Sequence, residues 1–243
     1  MDNYYRLSPI GVFCLMAGGI LDVNDLDKIF ATTGLYVFTV LLGLLLHGLV
    51  VLPMIYFVIS GSHPFKLIGN VVQALVTAFG TSSSIAALPA TVSCVEDKHG
   101  VDPRVARFVL PLGAAINMDG TALYEAVAAL FLVQLHGIPL DFPSIVAVSF
   151  IATIASIGAS GIPHAGLVTM TMLMNVLGLP AESIAFLIPV DWILHRFRTT
   201  VNVLGDVIGA SLVDTLCKGE LDEFPIKPTD SESAQLSTTE EDV

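Results

Sequence analysis

The sequence predicts an all-α, multi-pass membrane protein in which two re-entrant helical hairpins alternate with two polar spanning helices, an inverted-repeat arrangement. Three observations predict it. Apolar residues make up 54% of the chain and charged residues 13%, with a mean hydropathy of +0.79, whereas soluble domains carry roughly 25% charge. Two of the apolar stretches are broken near their middle by Ser and Gly. Finally, Asp191, His195, Arg198, Asn202 and Asp206 follow one another at steps of four, three, four and four, so a helix gathers them on one stripe. In a bilayer each ionised group facing lipid costs about 2.5–3.5 kcal/mol, which confines that stripe to a protein interior or a wet cavity. Trp192, Val201, Val203 and Leu204 then fall on the remaining, apolar surface of the helix.

The net charge of -12 does not describe an acidic binding face, because eight of the 22 acidic residues lie between Glu220 and Asp242. Cys14, Cys94 and Cys217 are odd in number and far apart, without metal-ligand spacing, so neither a disulfide framework nor a zinc site is expected. The opening residues, Met1-Asp-Asn-Tyr-Tyr-Arg6, show no basic region feeding an apolar core, so no cleavable signal is expected.

In chain order, Ser8 to Ile20 is a short apolar run, expected to end a longer helix, and Gly34 to Ser60 is a full span. Within that span Pro53 predicts a kink, and His47 reads as a packed histidine ahead of a proton-handling one. Residues 67–95 are interrupted at Gly80-Thr-Ser-Ser-Ser84. Each flank is too short to cross, which predicts a re-entrant hairpin. Residues 108–137 are long enough to span but contain Asn117-Met-Asp-Gly-Thr121 and Glu125. Residues 144–178 repeat the interruption at Ser156-Ile-Gly-Ala-Ser-Gly-Ile-Pro163, and residues 182–217 form the polar helix. Hairpin, polar span, hairpin, polar span, with Asn117/Asp119 in the first span and Asn202/Asp206 in the second, is an internal echo of the kind inverted-repeat transporters show.

Basic residues Arg6, Lys66, Lys98, Arg104, Arg107, Lys218 and Lys227 place both termini and the base of the first hairpin in the cytoplasm, with Lys28 opposite. Residues 218–243 are polar and acidic, and read as a disordered cytoplasmic tail. Its end, Glu241-Asp242-Val243, is a weak candidate for a domain that captures C-termini. An inert end is the favoured reading.

The chemistry of the interruptions follows from the bilayer. Non-helical backbone at membrane depth must be buried in protein or line water. A tip of Ser82, Ser83 and Ser84 offers N–H groups, hydroxyls and the positive end of a helix to a carboxylate. On an unbroken helix Asn117 and Asp119 point about 200° apart, but unwinding over Met118-Asp119-Gly120 lets both converge and frees carbonyl oxygens. Hard oxygen ligands at half-helix ends suit sodium. Thr121 and Glu125 continue from Asn117 at four-residue steps and add a hydroxyl and a carboxylic acid to that face. The bland alternative is a packing hinge with a satisfied buried acid.

Gly80–Ser84, Asn117-Met-Asp-Gly-Thr-Ala-Leu-Tyr-Glu125, Ser156–Pro163 and Asp191-Trp through Arg198-Thr-Thr-Val-Asn-Val-Leu-Gly-Asp206 resemble the signature stretches of the glutamate/aspartate:sodium symporters, of the animal excitatory amino-acid transporter type. The likeness runs from about Leu7 to Cys217. It implies an elevator mechanism with a trimeric scaffold and a mobile transport domain, residues 1–66 being scaffold-side or connecting helices and 67–217 the transport core. It also implies sodium symport of acidic amino acids, with proton cotransport and potassium countertransport and without enzymatic activity, organic cofactor, transition metal or nucleic-acid partner. Membrane lipid and a homotrimer are the expected surroundings.

Position by position, the resemblance assigns Arg198 to the substrate's side-chain carboxylate, which a planar guanidinium grips bidentately. It assigns Thr121, His195, Thr199, Asn202 and the tips Ser82–Ser84 and Ile162–Gly166 to substrate contact, the second tip as gate. Gly113, Asn117, Asn202 and Asp206 match one sodium site. Ala115, Met118, Ser156, Ile157 and Ala159 match a second, mostly through carbonyls, and Asp119 part of a third. Glu125 matches the acid tied to proton and potassium coupling.

Departures stand beside these matches. His195 occupies the place of an aspartate that receives the substrate's ammonium group, and neutral imidazole supplies no negative charge. His164, Ile85 and Pro189 also differ from the usual family residues. The first four family helices are not represented, so a partial family member, inactive in transport by itself, is expected. Two rival readings come from the same residues. Gly158-Ala-Ser160-Gly161 matches the motif around the serine of rhomboid-type intramembrane proteases, with His195 as its base. That reading leaves Asn117, Asp119, Arg198, Asn202 and Asp206 without a role. The other rival is an uncoupled channel or assembly subunit.

Overall fold

The computed structural model describes residues 26–158, 165–180, 184 and 187–223, and every regular element among them is helical. The apolar run Ser8–Ile20, Ala159, Ser160, Ile162, His164 and residues 224–243 lie outside the described residues. Three helical stretches are long and apolar enough to cross a membrane: Ala31–Ser60, Pro103–Leu135 and Ile188–Leu221.

Helix α1 (Leu26–Leu46) passes through a wide π-helical turn, His47–Val51, into α2 (Leu52–Ser60). Pro53 explains the turn: it has no N–H, and its ring crowds the carbonyl of residue 49, so the backbone widens by one residue. The Leu52 N–H accordingly donates to the His47 carbonyl, five residues back. The disturbance expected at Pro53 takes the form of a π turn that begins at His47.

The first hairpin is α3 (Pro64–Thr81) and α4 (Ser84–Ser93), packed on one another. Ser82 closes α3 in the left-handed region at φ 53°, and Ser83 caps α4 by accepting from the Ala86 N–H at 3.2 Å. Helices α5 (Pro103–Ile116) and α6 (Asp119–Leu135) are the two halves of the predicted broken span. The break falls at Asn117 (φ -88°, ψ 96°) and Met118 (φ -119°, ψ 52°), and the helix resumes at Asp119. The unwinding expected over Met118–Gly120 therefore lies slightly upstream. The reason is local: Asp119 opens α6 as a first-turn acid, complementing the helix dipole.

The second pair is α7 (Phe142–Gly158) and α8 (Ala165–Leu177), followed by α9 (Ile188–Glu223). The last helix packs against α1, α2, α3, α4, α5 and α6. Val201, Val203 and Leu204 are buried along with Arg198, Asn202 and Asp206, so the middle of this helix is enclosed, while Trp192 near its start is 65% exposed. Val201 lies against Gly48 of the π turn. α9 also runs through Lys218 to Glu223, where the sequence predicts the tail to have begun.

Candidate functional site

The broken helix and the centre of α9 meet at a cluster of polar side chains. Asn202 Oδ1 accepts from the Gly120 N–H at 2.7 Å, while its Nδ2 faces the Thr121 hydroxyl at 3.2 Å and the Met118 sulfur at 3.3 Å. Asn117 Nδ2 donates to Asp206 Oδ1 at 3.0 Å. Two glycines permit this approach: a Cβ on Gly120 would stand 2.5 Å from the Arg198 carbonyl, and one on Gly205 would stand 2.6 Å from Asp119 Oδ2 and 2.9 Å from Asn117 Nδ2. Asn117 and Asp119 thus converge on Gly205, as unwinding requires. Gly113 faces Asp206 from α5, a Cβ there falling 2.6 Å from its Oδ1.

Asp206 is 4% exposed. No basic side chain among the described residues forms an ion pair with it. A carboxylate buried without a counter-charge costs about several kcal/mol after relaxation, a cost that a proton or a bound cation can relieve. Asp119 has His47 Nε2 at 3.6 Å, an ion-pair distance longer than a hydrogen bond. His47 therefore faces this cluster, which its sequence alone does not reveal.

One turn earlier on α9, Arg198 is 2% exposed, with Tyr124 lying 4.3 Å beneath its guanidinium carbon. Asp191 Oδ1 is 3.6 Å from Nη1, and Nη1 has no hydrogen-bond partner. Glu125 on α6 is fully buried and accepts from the Thr169 hydroxyl of α8, while its second oxygen is unpartnered. The unpartnered Nη1 of a buried guanidinium can donate to a carboxylate.

The tip of the first hairpin is tied to the same region. Ser84 Oγ donates to the Ala114 carbonyl at 3.2 Å, and Arg196 Nη1 donates to the Phe79 and Gly80 carbonyls at 3.0 and 2.9 Å. That arginine satisfies carbonyls at the C-terminal end of α3 and opposes its negative dipole end.

Among the described residues, the other predicted ones stand on α5, α7, α8 and α9. Ser156 is buried but donates to the Thr153 carbonyl of its own helix, and the Ile157 side chain is 49% exposed. Thr199 is buried yet donates back to the His195 carbonyl at 2.8 Å. Ala115 is half-buried beside Ala114, and Gly166 lies in the first turn of α8. Ala159 and Ile162 lie outside the described residues, as does Ser160. Tyr124, Thr169, Arg196 and His47 were not singled out for the site by spacing. Arg196 and Tyr124 lie inside the quoted motifs, so their chemistry was visible there, whereas the Thr169 contact with Glu125 spans 44 residues of sequence.

The chain is 50% identical to excitatory amino acid transporter 2 of Mus musculus over 233 residues, 96% of this chain and 41% of the relative. It is 53% identical to excitatory amino acid transporter 3 of Mus musculus over 218 residues, 90% of this chain and 42% of the relative. It is 51% identical to excitatory amino acid transporter 1 of Rattus norvegicus over 214 residues, 88% of this chain and 39% of the relative. The chain therefore spans about two-fifths of the length of these curated relatives. The family model described as the sodium:dicarboxylate symporter family matches residues 4–216, nearly the whole chain, and with a membrane-type all-helical fold and this buried site the chain belongs to that family.

Proposed function

We propose that this chain forms the substrate and cation site of a sodium-coupled symporter of acidic amino acids. One observation carries the reading: Asn117, Asp119, Asn202 and Asp206 gather at the break between α5 and α6, one helical turn from the buried Arg198. Sodium between the two aspartates and the freed backbone would supply the missing positive charge. The substrate's side-chain carboxylate would meet Arg198, with Thr121, Asn202 and the Ser82–Ser84 tip around it. Because Asn202 touches both regions, filling one stabilises the geometry of the other, so ions and amino acid reinforce each other's binding.

The transport core moves as an elevator in this reading, with Glu125 carrying a proton inward and exchanging it for potassium. Its partner Thr169 sits on the second hairpin, which supports a link between the charge on Glu125 and the position of that gate. The base of the first hairpin and the end of α9 lie on the same, cytoplasmic side. Arg104 Nη2 donating to the Leu221 carbonyl at 3.1 Å, beside Lys98, Arg107 and Lys218, supports this orientation.

The test is reciprocal binding in lipid nanodiscs. Labelled L-aspartate is expected to bind in sodium and not in choline, and L-aspartate is expected to raise the affinity for sodium by the same factor. Aspartate affinity that is equal in the two salts would sink the proposal.

A further inference from the structure

The carboxylate facing Arg198 belongs to the chain itself. Asp191 stands seven residues before it on α9, two turns along, so both side chains leave the same face of the helix. Their nearest atoms are 3.6 Å apart, an ion-pair distance too long for a direct hydrogen bond, and Arg198 Nη1 is left without a hydrogen-bond partner. The pair is asymmetric: the Asp191 side chain is 23% exposed and that of Arg198 is 3% exposed. The guanidinium therefore closes the site, and the aspartate stands nearer its mouth. Tyr124, whose ring covers Arg198, also neighbours Asp191. Glu125, the other acid close to Arg198, is engaged by Thr169.

A ligand carboxylate that satisfies Nη1 must enter where Asp191 now faces the arginine. Asp191 then keeps a negative charge with its counter-ion taken, in a setting too buried to screen it well. An ammonium group on the same ligand cancels that charge. His195, between the two on the same stripe, supplies no anion to do so.

We infer that Asp191 receives the ammonium group of the bound acidic amino acid, exchanging its contact with Arg198 for one with the ligand. The inference rests on the reading of Arg198 as the carboxylate grip proposed above. It makes Asp191 a specificity-determining residue. A zwitterionic dicarboxylate presents its positive group to Asp191, whereas a dicarboxylate without the amino group sets a like charge beside it.

The experiment compares labelled L-aspartate with labelled succinate, which has the same carbon chain without the amino group. Binding is measured to the full chain in sodium-containing nanodiscs, for the unmodified protein, Asp191→Asn and Asp191→Glu. The expected result is that Asp191→Asn weakens L-aspartate about tenfold or more while succinate holds or tightens, and that Asp191→Glu keeps most of the aspartate affinity. An aspartate that only complements the positive N-terminal end of α9 would move both ligands together. Equal loss of both ligands, or no loss of either, overturns the assignment and leaves the Arg198 reading standing. If the unmodified protein binds neither ligand in sodium, the Arg198 reading falls and this assignment falls with it.

Discussion

The Gly120 N–H donates to Asn202 Oδ1 at 2.7 Å, joining the first turn of α6 to the middle of α9 across 82 residues of sequence. This N–H would otherwise be an orphan at a helix start inside the protein. Asn202→Ala leaves it and the Thr121 hydroxyl without that partner, at a cost of roughly 1–3 kcal/mol. Gly120→Ala fails for a steric reason, because its methyl would meet the Arg198 carbonyl at 2.5 Å. Both variants are expected to lower the melting temperature in detergent, and Gly120→Ala also to abolish aspartate binding. A Gly120→Ala protein with unchanged stability would mean that the two helices are not in contact.

Replacing Asp206 with Asn keeps the shape of the side chain and removes the charge facing Gly113 and Asn117. The expected outcome is a sodium requirement for aspartate binding shifted upward by about tenfold or more, as fits loss of one hard anionic ligand from a cation site. Sodium titrations of aspartate binding, with the variant beside the unmodified protein, measure it. An unchanged sodium midpoint would remove Asp206 from the cation site.

Why some of this was legible in the sequence, and some was not, follows from the range of each interaction. The break at Asn117–Met118 could be read because Asn-Met-Asp-Gly puts turn-forming residues inside an apolar run. The stripe from Asp191 to Asp206 could be read because helical spacing is periodic. The first hairpin could be read because Ser82–Ser84 interrupts a segment with flanks too short to span. The π turn at His47–Val51 was visible only as Pro53, since the sequence indicates that the ladder is disturbed there but not how. Contacts such as Thr169 with Glu125 or Arg196 with Gly80 depend on how distant helices dock, and no local pattern encodes them. The enclosure of Val203 and Leu204 is of the same kind, because in a membrane protein lipid-facing and core-facing residues are equally apolar.

Arg198→Cys removes the buried guanidinium proposed to hold the side-chain carboxylate while leaving the cluster near Gly205 in place. Acidic amino acids are expected to lose binding by about a hundredfold or more, comparable to losing a buried charge pair. Small neutral amino acids should become the better ligands. Competition of serine or cysteine against aspartate, in the presence of sodium, gives the comparison. Retained preference for aspartate would show that its side-chain carboxylate is held elsewhere.

His195→Asp adds a second carboxylate one turn from Asp191 and one turn from Arg198. Aspartate binding should tighten, and the penalty for Asp191→Asn should shrink in that background, because the ammonium group gains an alternative acceptor. A double-mutant cycle over the two positions reads the coupling directly. Strict additivity would mean that the two carboxylates do not serve the same group.

His99 ends the π-helical turn Cys94–His99 at the base of the first hairpin, outside the three spans. Its Nδ1 faces Asn70 Nδ2 at 3.3 Å and its Nε2 faces the Tyr56 hydroxyl at 3.4 Å, so one neutral tautomer accepts from Asn70 and donates to Tyr56. Burial holds its pKa below the usual histidine value of 6.5; Asp214 on α9 opposes this and Lys66 on α3 adds to it. With the folded value depressed, the unfolded chain binds more protons as pH falls through about 6.5, so folded-state stability is fully present above that pH and declines below it. Protonation also turns Nδ1 into a donor pointing at the Asn70 amide nitrogen, which breaks the link from His99 to α3 while Nε2 still donates to Tyr56. Melting temperature is therefore expected to drop on acidification from pH 7.5 to about 5.5, and His99→Gln, which cannot titrate, should lessen the slope. If the slope is the same in both proteins, this histidine is not what senses the pH.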